Sequence, residues 1–225
     1  VKYKKIHLKS HSDWLKHRVI GGSDAAAIIN LNPYKTNLDV YKKLVGELVE
    51  KDISNNEFVK YGKEAEEHIR ALFTLAHKEY QVIKPKTIEE DGYIEMLVRK
   101  DKPYMTATLD GELINLETQE QGILEIKTAS ISSHDKREMW ENRVPQNYYC
   151  QLLHYFAVKE DATFAILVAE LTFHGRDNSD YVLRKYYYFD RKDIQEDIDY
   201  LEQEETKFYE DYVSKKQEPV LVYKF

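Results

Sequence analysis

The sequence predicts an α/β domain built in layers, and three features predict it. Residues Glu57 to His77 repeat apolar side chains in steps of three and four, the mark of an amphipathic helix. From Tyr80 to Thr128 the chain turns to short β-type runs bounded by turn residues. Two further β-type runs, Thr163 to Phe173 and Tyr181 to Phe189, follow a second helical stretch. Helices and strands mixed in this order bury a sheet against helices.

In chain order, Ser12-Asp13-Trp14-Leu15 predicts a short helix. Ser23, after Gly21-Gly22, is well placed to cap a helix over Asp24 to Ile29, because its hydroxyl accepts from a first-turn N–H. Asn32-Pro33 breaks the chain, and Asn37 to Leu44 is helical again. In the long helix Phe58, Tyr61, Ala65, Ile69, Leu72 and Ala76 form the expected apolar stripe. Strands are predicted over Tyr80 to Ile83, Tyr93 to Val98, Tyr104 to Ile114 and Gly122 to Thr128. Pro145 opens a helix to about Val158, since a first-turn N–H has no helical acceptor to lose. The last two strands are joined by His174-Gly175-Arg176-Asp177-Asn178. A charged helix from about Lys192 to Lys215 closes the chain, packing Ile194, Ile198, Leu201 and Phe208. No repeat or Pro/Gly linker divides the 225 residues, so residues 1–225 are read as a single domain.

Composition narrows the function classes. No apolar run approaches the roughly 20 residues of a membrane helix, and the basic Val1 to Lys5 is not followed by an apolar signal core. The single cysteine, Cys150, excludes a disulfide framework and a thiolate metal cluster, and a reducing, cytoplasmic setting is expected. A net charge of −7 weighs against non-specific binding along nucleic acid, which needs Lys and Arg on phosphates. A metal-dependent nuclease, however, must carry carboxylates that its metal neutralises. Basic residues gather at Lys2 to Lys9 and at Lys16-His17-Arg18, so a local positive groove on an acidic body is expected.

The most informative residues are Asp110 and Glu125-Ile126-Lys127. Side chains at i and i+2 share one face of a strand. Glu125 and Lys127 therefore project together, while Leu124, Ile126 and Thr128 point the other way. Placing a carboxylate and an ammonium in so apolar a strand is costly unless they are paired or metal-bound. The return of an antiparallel arm through a polar turn over Asn115 to Gln121 would bring Asp110 beside Glu125. Two carboxylates are hard oxygen ligands suited to Mg²⁺, and metal-assisted phosphodiester hydrolysis uses this set. The Ile126 carbonyl lies between the two side chains and could be a further ligand. Lys127 would orient the attacking water or stabilise the phosphoryl oxygens. A solvent-facing Glu125–Lys127 ion pair is the plainer alternative.

Taken in order, several stretches resemble the lambda-exonuclease/YqaJ branch of the PD-(D/E)XK nuclease superfamily. Arg18-Val19-Ile20-Gly21-Gly22-Ser23-Asp24-Ala25-Ala26 is similar to that family's N-terminal motif. Tyr61-Gly62-Lys63-Glu64-Ala65-Glu66, then Arg70-Ala71-Leu72-Phe73, is similar to its G-x-x-x-E motif. Thr108-Leu109-Asp110-Gly111 and Leu124-Glu125-Ile126-Lys127-Thr128 are similar to its catalytic pair. Tyr148-Tyr149-Cys150-Gln151-Leu152-Leu153-His154-Tyr155 is similar to its helix bearing an active-site glutamine. The likeness runs from about residue 14 to residue 158.

The resemblance implies a restriction-endonuclease-like core, a central mixed β-sheet flanked by helices. It implies Asp110, Glu125 and the Ile126 carbonyl as metal ligands and Lys127 as the catalytic lysine. Glu66 becomes the helix carboxylate near the metal, directly or through water, and Gln151 holds water or phosphate. Glu64 satisfies a looser form of the pattern, whereas Glu66 keeps the spacing from Gly62 and to Phe73. Arg18, Ser23 and Thr108 are the positions implied to grip a terminal 5′ phosphate, with Gly21 and Gly22 letting the backbone approach. The implied cofactor is Mg²⁺, with Mn²⁺ as substitute, one or two ions per site. The implied activity is 5′-to-3′ digestion of one strand of duplex DNA from its ends. A ring-shaped trimer, a single-strand annealing protein as partner and a bacterial host cytoplasm, for a phage-encoded chain, complete the expectation. The alternatives are a single-strand or endonucleolytic RecB- or Cas4-like nuclease, and a catalytically silent DNA-end or protein-binding module. The iron–sulfur form of Cas4 needs four cysteine ligands, and this chain has one.

Overall fold

A computed structural model describes residues 1–48, 55–174 and 179–221. The first third holds β1 (Tyr3–Leu8), α1 (His11–His17), α2 (Gly22–Ile28), α3 (Asn37–Leu44) and the long α4 (Glu57–Ala76). The centre holds β2 (Tyr80–Ile83), α5 (Ile88–Asp91), β3 (Ile94–Arg99), β4 (Thr106–Ala107), β5 (Gly111–Asn115) and β6 (Gln121–Ile131). Then come α6 (His134–Glu138), α7 (Gln146–Val158), β7 (Ala162–His174), β8 (Asp180–Asp190) and α8 (Gln195–Phe208). Local chemistry sets several starts. Ser10, Thr36 and Asn56 cap α1, α3 and α4 by accepting first-turn N–H groups, and Pro145 is the N-cap of α7.

The strands form two sheets. A three-stranded antiparallel sheet has the order β1-β3-β4, and a five-stranded sheet has the order β2-β5-β6-β7-β8. The larger sheet is mixed, because β6 and β7 run parallel while its other pairs are antiparallel. A parallel pair needs a crossover, and α7 supplies it. One face of this sheet, with Ile123, Ala165, Leu167 and Leu171, packs in the main core with residues of α2, α7 and α8. On the other face Leu124, Ile126, Ile166 and Val168 pack against Ala65, Ile69 and Phe73 of α4. Residues on β6 are thus covered on both sides, which places any polar side chain of that strand in a low-dielectric setting.

Several sequence expectations are revised. The run read as one strand over Tyr104 to Ile114 divides into β4 and β5, which belong to different sheets. The chain crosses between the sheets at Thr108 to Asp110. Ser23 is not the N-cap of α2. Asp24 Oδ2 accepts the Gly21 N–H at 3.1 Å, so Gly21 takes the cap position and Ser23 lies inside the first turn. The buried stripe of α4 is Ala65, Ile69, Arg70 and Phe73, whereas Phe58, Tyr61 and Leu72 are exposed. The basic N-terminal stretch forms an edge strand with Lys5 bridging Glu95 (2.8 Å) and Glu112 (2.5 Å). Lys2 and Lys16 also face carboxylates, Glu160 and Asp13, which diminishes the positive groove expected there. The final helix is shorter than expected and passes into a π-turn over Tyr209–Val213. Residues 175–178 of the last strand connection lie outside the described residues. Among the described residues no helix is long and apolar enough to cross a membrane.

Candidate active site

The site grows out of the β5–β6 register. Gly111 pairs with Leu124, so Asp110, one step before β5, stands opposite Glu125. Its carboxylate takes the place of a β5 backbone acceptor, and Asp110 Oδ2 receives the Ile126 N–H at 2.8 Å. In a strand, the N–H and C=O of one residue leave on the same edge. The Ile126 carbonyl therefore lies on the edge facing Asp110. Period-two alternation does the rest: Leu124 and Ile126 enter the α4 core, while Glu125 and Lys127 face α7 and form an ion pair.

Glu125 is fully buried, which removes the reading of a solvent-facing ion pair on a half-exposed strand. Its Oε1 accepts Gln151 Nε2 at 2.7 Å as well as Lys127 Nζ. Its Oε2 is buried with no hydrogen-bond partner among the described residues. Burial, reinforced by the neighbouring Asp110 carboxylate, pushes the Glu125 carboxyl up to about 8 despite Lys127. Burial would lower the Lys127 pKa, but Glu125 and Asp110 outweigh it and raise it above the ordinary lysine value. Lys127 is therefore a fixed cation, held 5.2 Å from the centre of the Tyr148 ring.

Gln151 on α7 is buried beneath this pair. Its amide also donates to the Tyr155 hydroxyl at 2.7 Å, so both amide hydrogens are committed and the side chain cannot flip freely. Tyr155 is a site residue that sequence reasoning passed over, although its place one turn after Gln151 could have found it. Gly22 shows how tightly this corner is built. A Cβ there would stand 2.7 Å from the Tyr155 ring and 2.8 Å from Gln151 Cγ. The glycine lets the start of α2 press directly on the site.

On the opposite side α4 contributes Glu66, half-buried and paired with Arg70 one turn later. Arg70 also donates from Nε to the Asp110 carbonyl at 2.8 Å, tying the helix to the turn that carries Asp110. Burial and the Asp110 carboxylate raise Glu66 to about 7, against the pull of Arg70 and Lys127. Glu64 is exposed. The helix carboxylate at the site is thus Glu66, and Arg70 is a second residue whose role only the tertiary structure reveals.

The three positions expected to hold a phosphate are linked to one another. Arg18 Nη2 donates to Ser23 Oγ, and the Arg18 guanidinium lies 5.0 Å from the centre of the Trp14 ring. Trp14 Nε1 donates to Thr108 Oγ1 at 3.0 Å. Beneath them Asp24, fully buried, holds Lys35 at 2.8 Å and Lys43 at 2.5 Å. Burial would raise Asp24, but Lys43, Arg18 and Lys35 outweigh it and hold the carboxyl well below the usual range. Asp24 thus gathers Lys43, Lys35 and the field of Arg18 beside the exposed Ser23.

These residues suit a hard divalent cation. Two mutually repelling carboxylates, one of them bearing a buried oxygen with no hydrogen-bond partner among the described residues, sit beside the Ile126 backbone. Among the described residues no three His, Cys, Asp or Glu side chains converge as a complete cage. Two carboxylates plus the Ile126 carbonyl could serve as donors, a set that would leave positions for water and phosphate as Mg²⁺ prefers. Glu66, engaged by Arg70, fits a contact through water better than direct ligation.

Comparison with known proteins agrees with this architecture. The YqaJ protein of Bacillus subtilis (strain 168) is 26% identical over 218 residues, covering 94% of this chain and 59% of that protein. This chain thus spans a little over half the length of that relative. The alkaline exonuclease LHK-Exo from Laribacter hongkongensis has a similar fold, with a TM-score of 0.53 at 16% identity, covering 89% of this chain and 91% of that one. Its complex with dAMP gives 0.53 at 14%, covering 91% and 97%. A phage-related exonuclease from Haemophilus somnus 129PT gives 0.50 at 16%, covering 89% and 97%. The fold is therefore the restriction-endonuclease-like one, a mixed five-stranded sheet flanked by helices. Residues 11–164, the segment that holds Arg18, Ser23, Glu66, Thr108, Asp110, Glu125, Lys127 and Gln151, match the family model of the YqaJ-like viral recombinase domain, and the chain belongs to that family.

Proposed function

We propose that this protein is a Mg²⁺-dependent exonuclease that degrades one strand of duplex DNA from the 5′ end. The observation that carries the proposal is the buried Glu125, its Oε2 without a hydrogen-bond partner among the described residues, set against Asp110 and paired with Lys127. Such an arrangement destabilises the protein unless a cation completes it. Membership of a viral recombinase family, and a fold shared with exonucleases, support the same reading.

Asp110, Glu125 and the Ile126 carbonyl would hold the ion, with Glu66 acting through water; Mn²⁺ would substitute, with one ion or two per site. The metal, when bound, lowers the pKa of a coordinated water and neutralises charge on the phosphate. Lys127 is a donor only, because its raised pKa keeps it protonated, so it steadies charge on the phosphoryl oxygens rather than taking a proton. Gln151 holds Glu125 in register through one amide hydrogen while Tyr155 anchors the other. Arg18, Ser23 and Thr108 grip the 5′ phosphate, and Gly22 brings that pocket against the catalytic group. The proposal extends to a ring-shaped trimer enclosing the duplex, a single-strand annealing protein as partner and a cytoplasmic site of action.

Linear duplexes labelled at the 5′ or the 3′ end, incubated with Mg²⁺ or with EDTA, test it. Early release of the 5′ label, only with Mg²⁺, is the expected result. Equal attack on closed circular DNA, or cleavage that persists in EDTA, would overturn it.

A further inference from the structure

Trp14 touches two of the three groups assigned to the phosphate pocket. Its indole N–H donates to Thr108 Oγ1 at 3.0 Å, and its ring carries the Arg18 guanidinium at 5.0 Å from the centroid. A threonine hydroxyl has one hydrogen and two acceptor lone pairs. Because the indole N–H occupies a lone pair, the Thr108 hydrogen must point away from the indole. Trp14 thereby converts Thr108 from a rotor of either polarity into a donor, which is what an anion requires. The ring face does the complementary work on Arg18. Guanidinium groups stack on aromatic planes, and Gly21 leaves room for this one: a Cβ at Gly21 would lie 2.7 Å from Arg18 Nε. The guanidinium over the ring keeps its Nη2 on Ser23 Oγ. His11 stacks against the indole at 5.2 Å between ring centroids and helps fix the ring's orientation.

We infer that Trp14 is a positioning residue of the 5′-phosphate pocket, fixing Thr108 and Arg18 as phosphate donors and so setting the preference for phosphorylated ends. The inference rests on the end-directed nuclease reading above. It assigns specificity to an indole that acts through Thr108 and Arg18. Trp14 acts on one donor through its edge and on the other through its face, and the two effects are separable by substitution.

The test is the ratio of kcat/KM for 5′-phosphorylated over 5′-hydroxyl duplex of one sequence, in Mg²⁺, for the full chain. Trp14→Phe keeps the ring under Arg18 and drops the N–H, so the ratio falls about fivefold, the worth of one neutral hydrogen bond. Trp14→Leu removes the ring as well, and the ratio falls further. Thr108→Val lowers the ratio as Trp14→Phe does, and the double variant Trp14→Phe/Thr108→Val is no worse than Thr108→Val alone, because the indole N–H acts through that hydroxyl. A purely structural Trp14 would lower both rates in parallel and leave the ratio intact. An unchanged ratio in both Trp14 variants, or additive losses in the double variant, would overturn the inference. A wild-type protein that cleaves duplex ends without any phosphate preference would overturn the pocket as well.

Discussion

Glu125→Gln should raise the stability of the metal-free protein while abolishing its cleavage. Burial and the Asp110 carboxylate hold the Glu125 carboxyl at about 8 against an ordinary value of 4.5. At pH 7 in EDTA the native state therefore keeps a proton that the unfolded chain releases. Each pH unit between the two states is worth roughly 1.4 kcal/mol, so folding at pH 7 carries a cost of up to about 3 kcal/mol. The amide has no proton to retain and still offers an oxygen to Gln151 and Lys127. Relief of that cost should raise Tm by about 5–10 °C for a domain of this size. The sign fixes a pH profile. A carboxyl with a raised pKa costs nothing below about 4.5, costs more as pH rises towards 8, and is level beyond, so the gap between variant and wild type should be small at pH 5 and wide at pH 8. Mg²⁺ should stabilise the wild type and leave the variant unmoved. Calorimetry over pH 5 to 8, with EDTA and with Mg²⁺, measures all of this. A variant that melts at or below the wild-type temperature at pH 8 in EDTA, and still responds to Mg²⁺, would refute the reasoning.

Three further outcomes follow from the same geometry. Asp110→Asn removes a carboxylate from the proposed ion site and should lower Mg²⁺-dependent cleavage of labelled duplex by about a hundredfold or more; full activity in that variant would remove Asp110 from the site. Gly22→Ala forces a Cβ against Tyr155 and Gln151, so it should destabilise by about 1–3 kcal/mol and slow cleavage by displacing Gln151, as read by urea melts and single-turnover rates. His154 and Glu205 form a fully buried pair at 2.8 Å. Burial would lower the His154 pKa, but Glu205 outweighs it and raises it. The pair's contribution is therefore whole below about pH 6.5 and fades as pH rises through the folded value. Glu205→Gln should cost about 3–5 kcal/mol at pH 6, with a smaller loss at pH 9; a loss that grows with pH would contradict the assignment.

The sequence by itself determined most of the larger elements and the alternation of the strand that carries Glu125 and Lys127. Alternation in Leu124-Glu125-Ile126-Lys127 is a local property, and it put Glu125 and Lys127 on one face and Leu124 and Ile126 on the other, as the ion pair and the α4 core show. The order of Asp110 and Glu125 around a polar turn likewise foretold their juxtaposition, because an antiparallel return leaves little freedom. Local signals failed where two residues competed for one role. Ser23 and Asp24 both have side chains suited to a helix start, and only the bond from Gly21 N–H to Asp24 shows that α2 begins two residues earlier. The run over Tyr104 to Ile114 reads as one strand because propensity carries no information about which sheet a residue joins. Tertiary structure alone decided the contacts that span long stretches of chain. Trp14 meets Thr108, Arg70 holds the Asp110 carbonyl, and Gln151 reaches Glu125 because packing brings distant segments together. It also decided the electrostatics: Glu125 is ordinary in the unfolded chain, and only burial against α7, beside a second carboxylate, pushes its carboxyl up to about 8.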